Sequence, residues 1–129
     1  MSLLQIEGLT KTYGPTIANS EVSFTVAPGT VHALLGENGA GKSTLVKLIF
    51  GTLQPDAGSF LWRGKPVAIE QPADARRLGI GMVHQHFSLF EAFTAVENIA
   101  LALPDVPRKG LARRTREVSE AYGLALDPD

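Results

Sequence analysis

The chain has 129 residues, 44% of them hydrophobic, which is enough for one compact core and too apolar for a disordered tail. Its 12 basic and 13 acidic residues give a formal net charge of −1, so it has no broad basic field of the kind that attracts nucleic acid, and nucleic acid is not expected as a partner. Without cysteine it forms neither a disulfide nor a thiolate metal site, which fits a reducing compartment; Met1 to Glu7 is not a signal peptide, and no segment approaches the roughly 18 apolar residues of a membrane span.

In chain order, Leu4, Ile6 and Gly8 alternate with Gln5, Glu7 and Leu9, which predicts a first strand. Val22, Phe24 and Val26 repeat at period two before the turn Ala27-Pro28-Gly29, predicting a second. Both read as half-buried strands of an antiparallel kind. Thr30 to Leu35 is a mostly apolar run with β-branched residues, expected as a buried strand, and Lys42 to Phe50 reads as a helix with Leu45, Leu48 and Ile49 on one face and Gly51 to stop it. Gln54-Pro55-Asp56-Ala57-Gly58 is a turn signal, and Ser59 to Trp62 with Arg63-Gly64-Lys65 reads as a strand entering a hairpin.

Further on, Pro72 to Leu78 reads as a short helix opened by proline and closed by Gly79, and Ile80 to Val83 as another buried strand. Thr94-Ala95-Val96-Glu97 is a capping-box sequence that starts a helix broken by Pro104. Pro104 to Gly110 is the linker candidate, and Arg113 to Tyr122 reads as a mostly polar helix. Arg108, Lys109, Arg113, Arg114 and Arg116 form a local basic cluster, read as a solvated helix face.

The run from Gly36 to Thr44, GENGAGKST, fits the pattern G-x-x-x-x-G-K-[ST] between a predicted strand and a predicted helix. Its three glycines let the backbone curl so that N–H groups point at a phosphate, the Lys42 ammonium reaches the terminal phosphates, and the Ser43 hydroxyl can hold Mg²⁺. The chain is therefore expected to bind a nucleoside triphosphate. Glu37 would repel phosphate if it faced inward and is expected to turn outward. His84 and His86 have no third ligand near in sequence and are not assigned to a metal, while His32 is expected as a packed core residue.

Tyr13 upstream in Gly8 to Gly14, the loop with its internal Gly39, Leu53 to Gly58, and Gln85 in Gly79 to His86 follow one another in an order that resembles the nucleotide-binding subunit of an ATP-binding-cassette transporter. The likeness runs from about Leu3 to about Leu103, and Met82 to Phe90 with Phe93 to Ile99 looks most like ATPases serving simple-sugar or nucleoside importers. The resemblance implies an ATPase that binds ATP with Mg²⁺ and couples hydrolysis to import. In that frame Tyr13 stacks on adenine, and Gly36, Asn38, Gly39, Ala40, Gly41, Lys42, Ser43 and Thr44 hold the phosphates. Lys42 and Gln85 would be the catalytic residues, with Ser43 and Gln85 on the metal. Membrane-spanning permease subunits and a second ATPase subunit are the implied partners, at the cytoplasmic face of the membrane.

The same resemblance implies elements that this sequence lacks: an L-S-G-G-Q-like signature, a strand ending in Asp-Glu, and a switch histidine. The expected fold is thus α/β, a P-loop NTPase core with an antiparallel β subdomain, truncated before the signature helix and the later core strands. Residues 1–84 would be the N-terminal part of that core, and 85–129 a glutamine loop with the start of a helical subdomain. On this view the chain alone is expected to bind Mg-ATP weakly and to turn it over negligibly, since each site in the family is completed by a second subunit. The competing reading is a non-catalytic nucleotide-binding or regulatory module. A GTPase or small kinase lacks support, because neither a D-x-x-G nor an N-K-x-D motif is present.

Overall fold

The computed structural model describes residues 1–37, 39–84, 89–124 and 126–129. Chain contacts divide it into two compact units, Met1–Val83 and His84–Asp129. In the first, β1 (Leu4–Tyr13), β2 (Thr16–Val26), β3 (Ala57–Trp62) and β4 (Lys65–Val67) form an antiparallel sheet in the order β2-β1-β3-β4. Two helices of this unit, α1 (Lys42–Phe50) and α2 (Pro72–Leu78), pack with the sheet.

The sheet's core face carries Leu4 and Ile6 of β1 and Phe60 of β3, and the same cluster is closed by Leu45 and Leu48 of α1, by Ile69 in the segment before α2, and by Ala75 of α2. Leu48 is fully buried, so truncating it to alanine would cost about 2–5 kcal/mol, the cavity included. The period-two pattern of β1 breaks once. Gly8 has φ +59, a backbone state that glycine adopts without penalty, and the register against β2 shifts between Ile6 and Leu9. That bulge carries Leu9, the off-face residue of a regular alternation, into the core, where it is fully buried. The amide of Gly8 is released from the ladder and donates to Ser23 Oγ at 2.8 Å.

Local signals decide the helices. Gly51 and Gly79 follow α1 and α2 in the left-handed conformation. The Asp74 carboxylate accepts from the N–H groups of Glu70 and Gln71 at 3.1 and 3.2 Å, satisfying donors at the start of α2.

Two strand expectations fail. Thr30 to Leu35 takes no strand pairing, and Val31 and Leu35 are 101% and 89% exposed. Ile80 to Val83 is likewise unpaired; Ile80 packs against the core while Val83 is 97% exposed. An apolar run becomes a buried strand only when neighbours accept its N–H and C=O groups, and among the described residues no strand does so. His32, expected in the core, is exposed for the same reason and stacks on Phe24 with ring centroids 5.2 Å apart.

The second unit holds α3 (Ala95–Ala102) and α4 (Leu111–Ala121). The capping box forms as the sequence predicts: Glu97 N–H donates to Thr94 Oγ1 at 3.2 Å and Thr94 N–H to Glu97 Oε2 at 2.8 Å. In α4, Leu111, Thr115 and Ser119 form the buried stripe, and the two hydroxyls donate back to the carbonyls of Leu111 and Arg116. The basic side chains face solvent, with Arg113 and Arg114 paired to Glu117 and Arg116 to Asp129. Among the described residues no helix is long and apolar enough to cross a membrane.

Candidate phosphate-binding site

The loop from Gly36 leads directly into α1. Gly41 is the N-cap residue, with φ +92, and its carbonyl accepts from Leu45 N–H at 2.9 Å to start the helix. The N–H groups of Lys42, Ser43 and Thr44 fall in the first helical turn, which has no intrahelical acceptors to offer them. No acidic residue occupies that turn, so no carboxylate of the helix competes for the positive end of its dipole.

The loop is seated on β2. A Cβ on Gly41 would lie 2.2 Å from the carbonyl oxygen of Ala18 and 2.8 Å from Asn19 Nδ2, so a side chain at this position has no room. Asn19 is buried at 6% exposure, and its Nδ2 donates to the Gly41 carbonyl at 3.2 Å. Its Oδ1 is buried without a hydrogen-bond partner among the described residues. Upstream, Ala40 N–H donates to the Glu37 carbonyl at 3.0 Å, closing a turn, and the Lys42 ammonium donates back to the Gly36 carbonyl and, at 3.5 Å, to that of Glu37. A Cβ on Gly36 would come within 3.0 Å of the Ala40 methyl, so the loop's two ends approach closely.

Glu37 is exposed, as the charge argument requires. Ser43 is exposed in the first turn of α1, within reach of an anion held there. Asn38 and Gln85 lie outside the described residues, as does His86. The described members of the set Gly36 to Thr44 are therefore gathered at one helix end, and of the predicted site residues Asn38 and Gln85 are the two on which the fold is silent.

Tyr13 ends β1 opposite Thr16 and is 47% exposed. Lys11, two residues earlier, faces Asn19 across the β1–β2 ladder, and the Asn19 side chain donates to the Gly41 carbonyl, so a short path of strand pairing and one side-chain bond links this strand end to the phosphate loop. The Lys11 ammonium lies 5.6 Å from the Tyr13 ring centroid. Asp56 supports the same strand end: its Oδ2 accepts from the Thr12 amide at 2.7 Å and the Thr12 hydroxyl at 3.0 Å, and its Oδ1 is 3.6 Å from Lys11 Nζ. These bonds, with the Lys11 charge, hold the Asp56 carboxyl below its ordinary pKa of 3.8.

Asn19 and Asp56 are the residues that sequence reasoning missed. Asp56 was legible only as part of a turn, and its partner Thr12 is 44 residues away. Nothing in the pattern of β2 marks Asn19 as a contact of the loop.

A family model described as ABC transporter matches residues 19–127. Among curated proteins, the nucleoside import ATP-binding protein NupA of Lactococcus lactis subsp. cremoris is 44% identical over 133 residues, covering 99% of this chain and 26% of its own length. The ribose import ATP-binding protein RbsA 1 of Rubrobacter xylanophilus is 44% identical over 131 residues, covering 98% of this chain and 26% of its own. Among solved structures, cbiO1 of Clostridium perfringens, described as part of the ABC transporter complex cbiONQ, superimposes with a TM-score of 0.70 at 26% identity, over 99% of this chain and 53% of that one. The chain thus spans about a quarter of the length of the curated relatives it matches.

Proposed function

This chain belongs to the ABC transporter family, and on that premise we propose that it is the ATP-binding part of an ATPase that couples ATP binding and hydrolysis to import of a simple sugar or a nucleoside. The observation that carries the reading is the loop Gly36 to Thr44, which caps α1 through Gly41 and folds the Lys42 ammonium back over its own carbonyls. Phosphate oxygens would take over the ammonium and accept from the N–H groups of the first turn, replacing carbonyl acceptors of the ammonium with charged ones. The names of the relatives, which speak of nucleoside and ribose import, support the solute class.

The residues present suit Mg²⁺ as well. Ser43 is exposed in the first turn of α1 and offers a hard oxygen donor there. Once held there, the ion would supply neutralisation of phosphate charge. Tyr13 offers a half-exposed ring to the base, and Lys42 the charge that favours the transferring phosphoryl group. Gln85 is assigned to the metal and the attacking water on the motif alone.

The partners in this reading are membrane-spanning permease subunits and a second ATPase subunit, at the cytoplasmic face of the membrane. Alone, the chain binds Mg-ATP and releases phosphate negligibly, because its residues offer one half of a closed site. The alternative of a regulatory, non-catalytic module has no observation of its own in its favour.

The test is thermal unfolding against increasing Mg-ATP, with Lys42→Ala alongside. A ligand bound only by the folded state raises the midpoint by mass action, by about 2.7 kcal/mol of stability at a hundredfold excess over Kd. A rise that is lost in Lys42→Ala is the expected result. A midpoint indifferent to ATP would overturn the reading for this chain.

A further inference from the structure

We propose that Asp56 is a positioning residue for Tyr13, fixing the ring as the platform on which an adenine base stacks; the inference rests on the nucleotide-binding reading above. The ladder geometry is the starting point. β1 pairs with β3 only as far as Thr10, opposite Ala57, whereas its pairing with β2 continues to Tyr13 opposite Thr16. Residues 11 to 13 therefore have one strand neighbour where the rest of β1 has two, at the tip of a hairpin where strand ends open most easily.

The Asp56 side chain stands where the next residue of β3 would otherwise pair. Its main-chain N–H donates to the Thr10 carbonyl at 2.8 Å, extending the ladder by one bond. Its Oδ2 then takes both the N–H and the hydroxyl of Thr12, so a side chain completes what backbone leaves open. Its Oδ1 draws in the Lys11 ammonium, which sits over the Tyr13 ring. Lys11 is only 17% exposed, unusual for lysine, and this fits a side chain held between a carboxylate and a ring. One residue thus immobilises the backbone before Tyr13 and fixes a cation against the ring, while Tyr13 itself stays exposed.

Fixing the ring matters because ordering a mobile side chain on binding subtracts from affinity. Stacking of a base on an aromatic ring is worth about five- to 150-fold in affinity, and a ring that must first be ordered keeps only part of that. Asp56 acts through Thr12 and Lys11 and touches no phosphate in this reading, so its effect depends on the base and not on the triphosphate.

The experiment compares the Kd of ATP with that of inorganic tripolyphosphate by calorimetry, for the 129-residue chain and its Asp56→Ala, Tyr13→Ala and double variants. Asp56→Ala is expected to weaken ATP about three- to tenfold, to leave tripolyphosphate unchanged, and to add nothing in the Tyr13→Ala background. Equal weakening of both ligands, no weakening of ATP, or an additive double variant would each overturn the proposal. If Asp56→Ala does not fold, Lys11→Met carries the same comparison, since it keeps the stem and removes the cation: loss for ATP alone supports the proposal, and equal loss or none overturns it. ATP binding unchanged by Tyr13→Ala would remove the platform and with it this inference, yet leave the phosphate cradle standing as long as tripolyphosphate binding still depends on Lys42.

Discussion

The Lys42 ammonium donates to the carbonyl of Gly36, six residues earlier, and so closes its loop upon itself. The contact is exposed, and exposed polar contacts of this kind add little to stability. Lys42→Met, which keeps the stem, is therefore expected to shift the ligand-free unfolding midpoint by no more than ~0.5 kcal/mol while weakening ATP at least about tenfold. Paired denaturation and calorimetry check it, and a large stability loss would mean that the ammonium holds the loop together.

Gly41 and Gly39 make a matched pair. Both have positive φ, but a Cβ on Gly41 would meet the Ala18 carbonyl oxygen at 2.2 Å, whereas on Gly39 it would meet nothing within 4 Å. Gly39→Ala is expected to cost about 1 kcal/mol of backbone strain, and Gly41→Ala at least ~2 kcal/mol more through the clash with β2. Urea midpoints of the two variants measure the difference, and equal midpoints would refute the seat described for the loop.

Asn19 has a buried amide with one end bonded to Gly41 and the other without a partner among the described residues. A buried acceptor left unsatisfied costs about 1–3 kcal/mol, comparable to or larger than the ~1 kcal/mol contributed by one neutral hydrogen bond. Asn19→Leu, of similar size, should leave stability unchanged or raised by up to ~1 kcal/mol, with weaker ATP binding because the loop loses its tether. Chemical denaturation gives the first quantity and calorimetry the second; a clear loss of stability would show that the Oδ1 is satisfied in solution.

Asp56 supplies a pH dependence. The Thr12 amide and hydroxyl, and then Lys11, favour its ionised form, so its folded pKa lies below the ordinary 3.8. A depressed folded pKa means that the unfolded chain binds the proton more tightly, so the contribution is present above 3.8 and lost as pH falls through the folded value. The gap in melting temperature between the parent and Asp56→Ala should be constant near neutrality and narrow in that acidic window. A gap that is independent of pH would count against the carboxylate as its source.

Asn98 secures the segment before α3. It accepts from Phe90 N–H at 2.9 Å and its Nδ2 donates to the carbonyls of Phe90 and Thr94 at 3.2 and 3.0 Å. Asn98→Ala should speed amide exchange at Phe90 by about tenfold or more, since a bond worth ~1–1.5 kcal/mol is lost, and leave the exchange of β1 unaltered. Hydrogen exchange resolved by residue is the measurement, and unchanged protection at Phe90 is the outcome that would refute it.

What the sequence discloses and what it hides divide along a physical line. α1 and α2 run over the predicted residues, Lys42–Phe50 and Pro72–Leu78, because caps, prolines and terminal glycines act within one turn of the residues that carry them. The capping box at Thr94 and the hairpin at Arg63-Gly64 are local in the same sense. The burial of Leu9 depends on a bulge that alternation does not announce, and the fate of Thr30 to Leu35 depends on partners that no stretch of sequence contains within itself. At the site, the loop was legible because glycine, lysine and serine spacing encodes a backbone shape. The supports from Asn19 and Asp56 were not, because each joins positions far apart in the chain.

The unpaired run from Thr30 to Leu35 enters the loop at Gly36, while the other side of the loop continues into the packed helix α1. The loop is therefore anchored firmly downstream and loosely upstream. Any strand that came to lie against Thr30 to Leu35 would restrict the loop's conformations in advance, and nucleotide would then bind with less entropy left to lose. By reciprocity, nucleotide would tighten that pairing by the same factor. A row of six residues whose backbone pairs with no strand among the described residues thus leaves the loop's conformational freedom open to whatever comes to lie against it.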